Sequence, residues 1–249
     1  MSKPLLIFGA LCALLAACAA PTPAPPTPLR VEATDLTAPL LSDLAAAYVE
    51  VDPKVTLIPS VVPLSSLSAD LAAGRADLGL AVNYDSDQFA TPLGYVPLIV
   101  IVYPSNPVGS LSVAQVRAIY MGQITEWGQV GAGSGEIQVV GREDRSDAES
   151  FFEVSALSGA RAAVTGNALV APTWGAMREV VSQNPNAIGF LPLPELDTSV
   201  KRVSVDADWR ALIVGVGLKE PTGAARDFLA WVQSEAGQRV VAKRHERMK

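Results

Sequence analysis

From residue 30 onward, short apolar runs of strand length alternate with helix-length amphipathic stretches along almost the whole chain. This alternation is the strongest constraint on the fold. Strands separated by helical crossovers are covered on both faces, which builds α/β layers with parallel or mixed sheets. Strand-like runs fall at residues 29–34, 55–59, 77–82, 95–103, 137–141, 187–191, 200–205 and 211–216. Apolar residues at helical spacing fall at 37–51, 63–74, 112–121, 146–157, 174–182 and 222–241. Run 95–103 is nearly free of polar residues, as a strand covered on both faces should be. It is about half as long as a membrane span and contains Pro97. The glycine-rich residues 131–135 follow the Trp127 segment and precede a strand, so they read as a turn rather than a nucleotide-phosphate loop.

Composition narrows the chemistry. A chain of 249 residues with 49% apolar content buries one large core or two smaller ones, and is not intrinsically disordered. Its net charge of −6 argues against a nucleic-acid partner, which would call for a basic stripe. Two cysteines make neither a disulfide framework nor a cysteine-rich zinc site. One histidine, His245, excludes a histidine metal cluster and leaves a Ser-His-Asp triad only if it serves there. It lies among Lys243, Arg244 and Arg247, which reads as a solvated basic tail. Neither S-x-x-K nor G-x-S-x-G occurs. The expectation is a protein without catalytic residues, metal or cofactor.

The N-terminus reads as an address. Lys3 is the only charge before Cys18, and residues 5–17 are an apolar run too short to span a bilayer. Leu15-Ala16-Ala17-Cys18 resembles a bacterial lipobox, in which residues 1–17 are removed and Cys18 is acylated. The alternative is an ordinary secretory signal. Residues 18–29, with prolines at 21, 23, 25, 26 and 28, read as a polyproline tether reaching about 30 Å. The expected location is the extracytoplasmic face of a bacterial membrane.

Three segments offer sites for chemistry. Residues 141–149 pass from a strand to a helix start where Ser146 and Glu149 fit a capping box. A helix N-terminus with Arg142 and Arg145 beside it makes an anion site of directional donors. The same residues also read as an ordinary capped helix whose arginines pair with Glu143, Asp144 and Asp147. Residues 33–39 make a second strand-to-helix turn, with hydroxyls at Thr34 and Thr37 and a carboxylate at Asp35. Asn83 and Asp85 follow a strand end and either line the same cleft or form a solvated turn. Trp127, Trp174, Trp209 and Trp231 read as core, although Trp174 opens a helix that could face a cleft.

The stretch VYPSNPVGSLSVAQVRAIYMGQITEWGQVG followed by IQVVGRED, with AAGRADLGL (72–80), NPNAIGFLPL (184–193) and EPTGAARDFLAWVQSEAGQRVV (220–241), resembles the phosphate-binding proteins of ABC importers. These are a branch of the type II periplasmic binding proteins. The resemblance covers nearly all of residues 30–241. It implies two α/β lobes joined by two crossover strands, with a ligand clamped between them by hinge closure. One lobe would be residues 30–102 plus 191–249 and the other 103–190, with crossings near 102–104 and 188–191. It further implies a monomer that delivers phosphate or a related small oxyanion to a permease. Arg142 would be the main charged donor, and Thr34, Thr37 and Ser146 would donate hydrogen bonds. Asp35, Asp85 or Asp144 would accept a proton from a protonated anion.

The binding motifs depart from the family. Ala33-Thr34-Asp35-Leu36 replaces the usual G-S-x-T, Ala81-Val82-Asn83 replaces Ser-Ser and a charged residue, and Asp147-Ala148 replaces the Gly-Thr that usually follows Ser146. A carboxylate about 4 Å from a phosphate oxygen costs roughly 4 kcal/mol at an effective dielectric of 20. If Asp147 points inward, tight phosphate binding should fail. A second reading therefore keeps the fold, with a diverged cleft for another solute or a role as a sensing or interaction lipoprotein.

Overall fold

The structure is a computed structural model that describes residues 25–84, 87–142, 146–157 and 164–248. Among the described residues, ten strands and seven α-helices follow one another in the order the sequence implies. The first sheet is built from β1 (Thr27–Ala33), β2 (Val55–Val61), β3 (Leu78–Val82), β10 (Arg210–Gly217) and the first part of β4 (Phe89–Val102). β1 pairs in parallel with β2 and β3, and β10 lies antiparallel to β3 and β4. The second sheet holds the rest of β4, then β8 (Ala187–Pro192), β6 (Gln138–Arg142) and β7 (Leu169–Ala171). There β6 runs parallel to both β7 and β8.

β4 is the element that joins the two sheets. Up to Pro97 it pairs with β10, and from Leu98 it pairs with β8. On its other side, β9 (Lys201–Val205) pairs with Val100, Ile101 and Val102, so β9 and β10 follow one another along β4. The return crossing by backbone pairing thus lies between β9 and β10, downstream of residues 188–191. β8 stays hydrogen-bonded to the second-sheet half of β4. β4 also starts earlier than run 95–103, because the pairing continues back to Phe89 through Pro92. Pro92 is accommodated where the register slips opposite Ile213 and Val214, leaving Leu93 as the extra residue of a bulge.

β1 begins at Thr27, inside the stretch read as a tether. Pro28 is paired there on the β2 side only, since contact with β3 starts at Val31, so its missing N–H disrupts no central ladder. The long C-terminal helix is two helices, α6 (Gly223–Gln233) and α7 (Glu235–Val241). Ser234 breaks it in extended conformation and caps α7 by accepting from the Gly237 N–H. After α7 the tail adds to β4: Glu246 N–H donates to the Tyr95 carbonyl at 2.9 Å, and Tyr95 N–H returns the bond at 2.7 Å. Gly94 permits that approach, because a Cβ there would lie 2.8 Å from the Glu246 carbonyl oxygen. His245 is consequently buried rather than part of a solvated tail.

The core is continuous across both sheets. Tyr120, Phe152, Phe190 and Trp209 form an aromatic cluster under the second sheet, with Phe152 and Phe190 stacked at 4.2 Å. Tyr48, Phe228 and Trp231 do the same between α1 (Ala38–Tyr48) and α6. Among the described residues, no helix is long and apolar enough to cross a membrane.

Candidate ligand cleft between the two sheets

Two strand-to-helix turns face each other across the gap between the sheets. One joins β1 to α1 and carries Thr34, Asp35 and Leu36; the other is described at its two ends, Arg142 at the close of β6 and Ser146 before α4 (Asp147–Ala156). A cavity of about 510 Å³ opens between them, lined by Thr34, Asp35, Arg142, Ser146 and Asp147 on the polar side. The other wall is Val61, Val62, Pro63, Leu64 and Ser65, from the end of β2 and the start of α2 (Leu64–Ala72).

Arg142 is the last residue of β6, and its side chain is only 5% exposed. The guanidinium lies 4.2 Å from the centre of the Trp174 ring, a cation–π platform supplied by the first residue of α5 (Trp174–Gln183). One terminal nitrogen donates to the Asp35 carboxylate at 2.6 Å, across the cleft. The other donates to the Ala171 carbonyl at 3.4 Å. Nε is buried and has no hydrogen-bond partner. A buried donor left unpaired costs stability, and this one belongs to a guanidinium that lines the cavity.

Asp147 points inward. It is 3% exposed, and its carboxylate accepts from the Leu36 N–H of the opposite turn at 3.4 Å and from the Ala148 N–H at 2.9 Å. Each turn therefore sends a carboxylate to the donors of the other: Asp35 to Arg142, and Asp147 to the start of α1. Burial pushes both carboxyls above the usual range for aspartate. For Asp35, Arg142 pulls down and Glu195 pushes up; for Asp147, the Thr34 hydroxyl pulls down and Asp35 pushes up. These shifts favour holding a proton in the cleft.

The remaining candidate residues divide. Ser146 lines the cleft and caps α4 by accepting from the Glu149 N–H at 3.0 Å. The capping box is not reciprocal, because the Glu149 carboxylate accepts from the Arg142 N–H at 3.1 Å and fixes the end of β6. Thr37 is fully buried and is not a cleft residue. Its hydroxyl donates to the Leu80 carbonyl at 2.7 Å and accepts from the Thr34 N–H, holding the turn rather than a ligand. Asn83, with φ 44°, accepts from the Leu212 N–H at 2.9 Å and so belongs to the β10 edge. Asp85, Asp144 and Cys18 lie outside the described residues. Sequence reasoning did not single out the Leu36 N–H, the Ala171 carbonyl or the aliphatic wall from Val61 to Leu64. The wall could have been noticed as two valines beside a proline after a strand.

Comparisons with known proteins agree with this architecture. The chain is 27% identical over 160 residues to the phosphate-binding protein PstS of Bacillus subtilis; the match takes in 59% of this chain and spans about half of that relative, 52%. A Clostridium perfringens protein assigned as a phosphate ABC transporter substrate-binding protein, crystallised with bound phosphate, superposes with a TM-score of 0.81 at 24% identity, covering 90% of this chain and 100% of that one. An ABC-type phosphate transport receptor from Vibrio cholerae gives 0.76 at 24% identity, over 89% and 100% of the two chains. At these identities the solved structures establish the fold. A family model described as a PBP superfamily domain matches residues 19–215. The chain therefore belongs to the PBP superfamily of periplasmic binding proteins, with the PstS-like, two-lobed type II fold of its solved neighbours.

Proposed function

We propose that the protein is an extracytoplasmic receptor that captures phosphate or a related small oxyanion between its lobes and hands it to an ABC importer. The observation that carries this reading is the buried Arg142 guanidinium with an unpartnered Nε at a cavity flanked by the starts of α1 and α4. Helix starts and guanidinium together supply directional donors for an anion in a site of low dielectric. The oxyanion displaces Asp35 from Arg142 and sits between the Thr34 and Ser146 turns. Asp35 or Asp147 then accepts a proton from a protonated anion or holds one that neutralises its own charge.

In this reading the lobes follow the two sheets, residues 30–97 with 210–249 and residues 98–205, rocking about β4 and the β9–β10 connection. Contacts from both turns to one ligand would stabilise the closed state. The protein acts as a monomer anchored through an acylated Cys18, and no step requires catalysis. A Cys18→Ala variant tests the anchor by leaving the membrane fraction. Calorimetry with phosphate, sulfate, molybdate and tungstate tests the receptor. Binding of at least one oxyanion, abolished by Arg142→Ala, is expected. No heat with any of them would reject the function, and affinity kept within a few-fold in the variant would reject the role of Arg142.

A further inference from the structure

The cleft has a wall that an inorganic anion does not use. Val61, Val62, Pro63 and Leu64 form it, facing the pocket that Arg142 and Asp147 close from the other side. Val61 is 65% exposed, a large aliphatic side chain left open to water at the edge of a binding cavity. The volume of about 510 Å³ is in the range, roughly 300–1,000 Å³, that encloses organic ligands. Four oxygens around one central atom fill a small part of it.

Charge points the same way. Arg142 is the one cation among the described residues lining the cavity, and Asp35 and Asp147 line it too. Two carboxylates facing one guanidinium repel a multiply charged ligand more strongly than a singly charged one. The Arg142 guanidinium supplies charged donors on one side of the cavity, opposite the aliphatic wall, so the anionic head and an apolar substituent would lie at opposite ends of one ligand.

We propose that the cleft takes an organic monoanion, with a tetrahedral oxyanion head on the Arg142 guanidinium and a compact alkyl substituent against Val61, Val62, Pro63 and Leu64. A short alkylphosphonate, or an alkyl phosphate ester carrying one charge, has this chemistry. The inference rests on the anion-receptor reading and narrows its ligand class.

The test is calorimetry on the purified full chain with inorganic phosphate, propylphosphonate, propyl phosphate and butyrate, repeated on Val61→Asn and Leu64→Ser. A propyl-bearing tetrahedral anion should bind about tenfold or more tighter than inorganic phosphate, as burial of a few methylenes allows. Propylphosphonate and propyl phosphate separate the two sources of the head group, and preference for either supports the proposal. Both variants should bring the preference down to about threefold or less, with thermal unfolding confirming that each is folded. Phosphate binding as tightly as the propyl compounds overturns the ligand class and leaves the receptor standing. Butyrate binding tightest overturns the tetrahedral head, and a preference unchanged in both variants overturns the wall. No anion binding at all removes the receptor reading as well.

Discussion

Arg142 and Asp147, at the end of β6 and the start of α4, both reach across to the β1–α1 turn, and their opposite charges decide what the cleft admits. Asp147 occupies donors at the start of α1 that an incoming anion would otherwise use. Replacing it by Asn removes the charge and keeps an acceptor of the same shape. Asp147→Asn should therefore tighten oxyanion binding by about tenfold or more, measured by calorimetry, because a carboxylate about 4 Å away costs up to roughly 4 kcal/mol. The pH dependence has a definite sign. The Asp147 carboxyl is raised in the folded protein, so it holds a proton above the usual aspartate range, and anion affinity should rise as pH falls through that raised value. The variant should flatten that rise. The same sign applies to stability: the contribution of Asp147 is fully present below the ordinary carboxylate range and lost as pH rises through the folded value. At this scale, sequence alone reached Arg142, Thr34, Asp35, Ser146 and Asp147, since strand-to-helix turns advertise their donors. It could not distinguish Thr37, whose hydroxyl turns to the Leu80 carbonyl, because the choice between cap, turn and ligand depends on which strand lies beside it.

Among the elements, the C-terminal helices show what periodicity hides. The spacing of Phe228, Leu229, Val232 and Val240 fits one helix, yet Ser234 and Gly237 divide it. A Cβ at Gly237 would run into the Trp231 carbonyl oxygen and the Val232 backbone. Gly237→Ala should then cost about 3 kcal/mol in denaturant unfolding, since backbone cannot move aside as a side chain can. A loss below about 0.5 kcal/mol would show that α6 and α7 are not held this closely. The tail that follows buries His245 against Asp43 and Arg244, which pair with each other at 2.8 Å. Burial lowers the imidazole from 6.5 to about 4. Its contribution to stability is present above pH 6.5 and lost as pH falls toward 4, about 3 kcal/mol in all. His245→Gln should remove much of that pH slope, read as unfolding midpoints across the window. The basic residues around His245 suggested solvent, because the backbone pairing of Glu246 with Tyr95 leaves no trace in composition.

For the whole molecule, alternation of strands and helices and the family resemblance together gave the α/β architecture, and most strands and helices fall within a few residues of their sequence positions. The path of the crossings was less visible. It depends on β4 changing partners between Pro97 and Leu98 and on β9 continuing into β10, both properties of pairing rather than of hydrophobic pattern. That path sets the two turns against each other and creates the shared cleft. The central claim is that one oxyanion sits there against Arg142. Crystals grown with arsenate and measured at the arsenic absorption edge test it most directly. The account predicts an anomalous peak within about 4 Å of the Arg142 Nε, between the Thr34 and Ser146 turns, as a hydrogen-bonded oxygen on that nitrogen requires. A peak only elsewhere on the protein, or none with Arg142 still pointing into the cleft, would contradict it.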